Sequence, residues 1–256
     1  MKNTILMLLL TITACGKMPT FRLKSSLEPQ NVSAIYGSAR LNIKVFYEPG
    51  AEPYTDQVAT IKSFDLLHKN LDALFEGKSN RPLITVPREI SEMTKMVAQS
   101  KTTWTLEEVM NLPAVADASA SGENSNFHIY FLNGVSKDNS SAIGFHISNT
   151  NIIAIFKDVI KSTSNSMQPL VPKYVEQATL VHEMGHALGL VNNGVPMYTP
   201  HQDTAHGAHC SNPECVMYYS NEGTTSMMSF AAQALTKLSI VMFDQQCLND
   251  TQNYKK

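Results

Sequence analysis

The sequence has no excess of either charge, no long apolar run, no internal repeat and no low-complexity tract. With 20 Lys+Arg against 22 Asp+Glu and a formal net charge of -2, it makes no electrostatic case for nucleic acid as a partner. No stretch approaches the roughly 20 apolar residues that a membrane-spanning helix needs. The absence of a repeat argues against solenoids and propellers. Cysteine is scarce, at four in 256 residues, too few for a disulfide-dense scaffold. What is there, 43% hydrophobic and 16% charged residues, describes an ordered globular protein. A chain of this length can bury a sizeable core as one large domain or as two subdomains flanking a cleft.

The first residues read as a targeting segment, with Lys2 ahead of a short apolar run over residues 5–12. The run ends at Ile12-Thr13-Ala14-Cys15-Gly16, which resembles a bacterial lipobox; an ordinary signal peptide cut near Ala14 is the alternative. The resemblance implies a signal peptide over residues 1–14, lipidation of Cys15 and a tether over 15–39. It also implies a protein held in the bacterial cell envelope by acyl chains, at the outer membrane or the periplasmic face. Cys210, Cys215 and Cys247 remain, and an odd number leaves one thiol free or all three on one metal.

Residues 41–47 alternate as a strand. Residues 58–75 carry Ile61, Phe64, Leu67, Leu71 and Leu74 at helical spacing and stop at Gly77. Residues 83–86 read as a short strand and 106–112 as a short helix ended by Pro113. Residues 117–126 read as a loop, 127–132, 142–147 and 152–156 as successive strands, and 161–168 as another loop. A last helix is predicted over 227–245.

The segment His182-Glu183-Met184-Gly185-His186 places two imidazoles four residues apart, on one face of a helix, with a carboxylate beside the first. Two neutral imidazole nitrogens at that spacing can grip one zinc ion, and Glu183 can take a proton from water activated there. This is the HExxH pattern of zinc peptidases. Pro169 and Pro172 fit a helix start. Ala187-Leu188-Gly189 extends the pattern to HExxHxxG, and Gly189 and Asn192-Asn193-Gly194 supply the stop.

Element order and motif together resemble the metzincin peptidases. The resemblance implies an α+β, zincin-like fold: a twisted mixed sheet with a backing helix and the zinc-site helix over 40–189, then a loop-rich C-terminal subdomain over 190–256 ending in a helix. The pattern puts a third ligand three residues after the glycine, but Asn192 stands there, and a neutral amide is a poor zinc ligand. A second stretch, His209-Cys210-Ser211-Asn212-Pro213-Glu214-Cys215-Val216-Met217, is similar to the archaemetzincin segment in which the third histidine precedes Cys, Cys and Met at this spacing. It implies His209 as the third ligand after an insertion, with His201, Asp203 and His206 as rivals. It also implies Met217 as an apolar floor beneath the metal. Tyr219 is a candidate for zinc or oxyanion contact, or a tyrosine bonded to backbone. Archaemetzincins carry a second, structural zinc; here Cys210, Cys215, Asp244 and Cys247 could form a Cys3Asp site, but outside the cytoplasm a disulfide involving Cys210 and Cys215 is the favoured reading.

The resemblance implies a zinc-dependent endopeptidase, monomeric and acting on protein or peptide substrates, with Zn2+ on His182, His186 and His209 and Glu183 as general base and acid. Residues 142–147 are the candidate edge strand along which a peptide would pair. The alternatives are a catalytically degenerate zinc-binding envelope lipoprotein, which Asn192 favours, and a metal scavenger using the His-rich loop over 195–208. His68, His128 and His146 read as structural.

Overall fold

The computed structural model describes residues 32–58, 60–164, 168–237 and 240–255; the expected signal peptide, Cys15 and most of the tether lie outside the described residues. In chain order the elements are helix α1 (Val32–Gly37), strands β1 (Arg40–Tyr47), β2 (Gln57–Val58) and β3 (Ile61–Lys62), helix α2 (Ser63–Leu74), strands β4 (Leu83–Thr85), β5 (Thr94–Lys95) and β6 (Thr103–Trp104), helix α3 (Leu106–Met110), strands β7 (Ala120–Ser121), β8 (Asn124–Leu132), β9 (Val135–Ser136), β10 (Gly144–His146) and β11 (Ile152–Phe156), and helices α4 (Lys157–Ser162), α5 (Val171–Ala187), α6 (Thr224–Lys237) and α7 (Gln245–Asn253). The class is α+β with a mixed sheet, as expected.

The main sheet runs β10-β11-β8-β1-β4. Strands β11, β8, β1 and β4 are parallel, and β10 is antiparallel at the edge. The composition of β8 and β11 accounts for their central place: Phe127 to Leu132 and Ile152 to Phe156 are buried throughout, as strands covered on both faces must be. Helix α5 packs on β10 and β11 and against α2 and α6.

Several expectations shift at their boundaries. The helix predicted over 58–75 begins only at Ser63, because Val58 and Ile61 pair across the β2–β3 hairpin. The loop predicted over 117–126 contains β7, which turns at Gly122 (φ +54°) into β8; a residue without a Cβ suits that left-handed backbone. The loop predicted over 161–168 begins inside α4. The predicted last helix is two helices. Met242 is pinned between them, its N–H donating to Asn70 Oδ1 and its carbonyl accepting from Val216 N. Asp244 then starts α7 afresh by accepting from Cys247 N at 2.9 Å.

The expected tether is also too long. Residues 32–37 form α1, with Val32, Ile35 and Tyr36 buried in the same core as the C-terminal residues. Tyr36 packs on Phe75 and Tyr254 and donates to the Leu188 carbonyl, tying the chain start to the end of the motif helix.

Candidate metal centre

Helix α5 starts with Pro172 in its first turn and is buried at every position except Lys173 and His186, which are half-buried. It ends in a Schellman motif: Gly189 N donates to the His186 carbonyl, Leu190 N to the Gly185 carbonyl, and Gly189 takes φ +78°. Asn192 continues the stop at φ +61°, exposed and bonded to Gln202. The chain then loops away and returns at His209.

The three rings converge. His182 Nε2 and His186 Nε2 are 3.1 Å apart, and the His209 ring centroid lies 5.4 Å from that of His182 and 4.8 Å from that of His186. Two of the outer nitrogens are committed: His182 Nδ1 donates to the Val216 carbonyl at 2.7 Å and His209 Nδ1 to the His206 carbonyl at 2.6 Å. A carbonyl only accepts, so each Nδ1 must carry a proton, which leaves Nε2 to present a lone pair inward when the ring is neutral. Burial drives His182 down to about 4, and burial with the neighbouring imidazoles drives His186 well below its ordinary value. Burial also pulls on His209, but the Glu222 carboxylate and the His206 carbonyl outweigh it and hold this ring above its ordinary value. His209 Nε2 is buried without an aligned hydrogen bond. Facing imidazole lone pairs repel unless a cation sits between them, so this donor set fits a borderline divalent ion such as zinc.

Of the rivals for the third ligand, His201 turns elsewhere. Its Nε2 meets Asp250 Oδ2 at 2.7 Å and its Nδ1 lies 3.3 Å from Cys210 Sγ. Asp203 and His206 pair with each other at 2.7 Å. His209 alone of these joins the two helix histidines, and the fourth member of the group is Glu222, whose carboxylate oxygen shares a 4.8 Å cluster with the three imidazole nitrogens.

Glu183 is buried, and burial, with Glu222 adding to it, pushes its carboxyl up to about 8 against the pull of the His146 backbone N–H. That N–H belongs to β10, so the edge strand expected from residues 142–147 touches the carboxylate. Phe145, His146, Glu183, His186, Asn193 and Glu222 border a cavity of about 260 Å³. Among the described residues, a cavity of equal volume bordered by Glu214, Phe230, Lys237 and Met242 holds no ligand cluster.

Met217 is fully buried and its sulfur lies against Gly185. Tyr219 stacks flat on His206, with centroids 3.6 Å apart at 5°, outside the convergent group. His68 pairs with Asp72, His128 packs at a tilt against Phe46, and His146 Nε2 donates to the Thr150 carbonyl.

Cys210, Cys215, Asp244 and Cys247 form a second group with ligand atoms within 4.8 Å. All three thiols are free, and Cys215 and Cys247 are 3.5 Å apart at sulfur. Backbone N–H groups of Asn212 and Asp244 point at Cys210 and Cys215 sulfur.

Glu222, the Val216 carbonyl and Asp250 escaped the sequence reading. Glu222 has one signal, its place five residues past Met217, and nothing in its own neighbourhood marks it as a ligand.

No family model and no curated protein matches the sequence. Among solved structures, the chain is similar to an archaemetzincin from Methanopyrus kandleri, at 12% identity and a TM-score of 0.42 over 84% of this chain and 96% of that one. It is also similar to a zinc-dependent peptidase from Methanocorpusculum labreanum (strain Z), at 11% identity and a TM-score of 0.39 over 82% of this chain and 99% of that one.

Proposed function

We propose that this chain is a zinc-dependent endopeptidase. The supporting observation is the convergence of three imidazole nitrogens, two from α5 and one from a distant loop, beside a buried carboxylate and an open sheet edge. His182, His186 and His209 would hold the zinc ion, which when bound would supply the Lewis acidity that acidifies water and polarises the scissile carbonyl. Glu183 takes the proton and returns it to the leaving amine. Its burial suits the task, because a carboxylate held out of solvent is a stronger base toward water than an exposed one. The outer bonds from His182 to Val216 and from His209 to His206 fix both rings in the tautomer that faces inward.

Strand β10 gives the substrate its place. An extended peptide adding to the free side of Gly144–His146 would gain main-chain hydrogen bonds with little demand on sequence. The cysteine group is proposed to hold a second, structural zinc, supported by three free sulfurs, one carboxylate and N–H donors aimed at two of the sulfurs. The lipid anchor on Cys15 and the envelope location remain part of the proposal. No helix among the described residues is long and apolar enough to cross a membrane.

The experiment is metal analysis of the purified protein together with cleavage of an unstructured protein such as casein. Zinc with cleavage supports the reading. Tight zinc without cleavage of casein or a peptide library moves the protein to a binding role.

A further inference from the structure

Resting on that zinc reading, we infer that Glu222 is a fourth protein ligand of the metal held by His182, His186 and His209, closing the position that substrate needs until its carboxylate swings out. Glu222 Oε1 is 3.1 Å from His209 Nε2, without the alignment of a hydrogen bond. His209 already donates from Nδ1 to the His206 carbonyl. Without a metal this contact is an ion pair of the imidazolium with the carboxylate; a shared divalent cation takes the place of the Nε2 proton and draws on the same two atoms. The carboxylate oxygen lies within 4.8 Å of all three imidazole nitrogens, so a small inward movement of the exposed side chain brings it to the fourth corner of a tetrahedral site.

The backbone that carries Glu222 is fixed. Asn221 Nδ2 donates to the Cys215 and Val216 carbonyls, and Gly223 bridges to Ala142 just ahead of β10. The Val216 carbonyl is the one that orients His182, so the turn bearing Glu222 is registered to the metal group through a shared acceptor. The side chain, by contrast, is 59% exposed. It can rotate into solvent without disturbing the core, and it borders the same cavity as Glu183 and Phe145. Four protein ligands make a closed site, and three make an open one. Glu222 therefore separates a resting state from a working state of one centre.

The test loads the full chain with Co2+ and compares wild type with Glu222→Ala and the shape-preserving Glu222→Gln. Wild type is expected to show a tetrahedral spectrum that does not change with pH. The variants are expected to gain a transition near pH ~7, as solvent enters the coordination sphere and ionises. Their Co2+ and Zn2+ dissociation constants should rise about tenfold or more. Identical spectra and affinities in wild type and both variants overturn the inference. His182→Ala separates the two levels: lost metal binding in His182→Ala with no effect at Glu222 sinks this inference alone, whereas unchanged binding in His182→Ala sinks the zinc site with it.

Discussion

The Met217 sulfur rests on Gly185 so closely that a Cβ added there would stand 2.3 Å from it. Met217 is fully buried, and Phe243 presses on the same spot. In an exposed helix Gly→Ala gains roughly 1 kcal/mol. Here overpacking costs about 1–3 kcal/mol. Gly185→Ala is therefore expected to lower the melting temperature and weaken metal binding, because the residue lies between the two helix ligands. The loss should be smaller in a Met217→Ala background, which a double-mutant cycle by thermal unfolding would measure.

Removing the carboxylate and removing a ligand should have different consequences. Glu183→Ala is expected to keep the metal and lose peptidase activity by about 10²- to 10⁴-fold. His186→Ala should lose both metal and activity. Substantial turnover in Glu183→Ala would remove this residue from the proton-transfer role.

The cysteine group makes a separate prediction. If it holds zinc, wild type binds two equivalents and Cys247→Ser binds one, with a lower melting temperature in chelator. If Cys215 and Cys247 are instead joined, thiol titration of the denatured protein finds one of the three free, and the stoichiometry stays at one equivalent in both proteins.

The buried pair Lys157–Glu176 anchors α4 to α5. Glu176 also accepts from Tyr54 N at 2.7 Å, and Lys157 lies over the Tyr54 ring. Burial pushes the Glu176 carboxyl up to about 7 despite the attraction of Lys157. Lys157→Met should destabilise the fold at neutral pH, because Glu176 must then be buried either as a lone charge or with a proton taken up on folding. A carboxyl raised in the folded state binds its proton more tightly folded than unfolded, so folding is most favoured below the unfolded value and weakens as pH rises toward the folded one. Without Lys157 the folded value climbs further, and the deficit should shrink at about pH 5 in chemical denaturation.

The helix histidines and Glu183 were legible in the sequence because an α-helix converts spacing directly into proximity. His209 was legible only through a resemblance, since the loop that returns it has no period to read. Glu222 had no signal beyond its place near Met217: its approach is set by the Ala142–Gly223 bridge and by Asn221, which are tertiary facts. Strands β1, β4, β8, β10 and β11 were visible as alternating or apolar runs, whereas β5 and β7, two residues each without an apolar pattern, were not. The hairpin at Gly122 and the break between α6 and α7 were missed for a common reason. Polar residues that look like loop in one case, and apolar ones that look like helix in the other, take the backbone their partners impose, as Asn70 does for Met242.

Helix α5 is enclosed on nearly every side, while His209 arrives on irregular chain and Glu222 at the end of a single 3-10 turn. The centre thus has one jaw built into the core and one built from short connecting segments that end in an exposed carboxylate. Sequence change inside α5 has almost nowhere to go without unpacking the molecule. Refinements of grip, opening and selectivity fall to the segments after Gly189 and to the sheet edge facing them, and a directed-evolution campaign would do best to concentrate its libraries there.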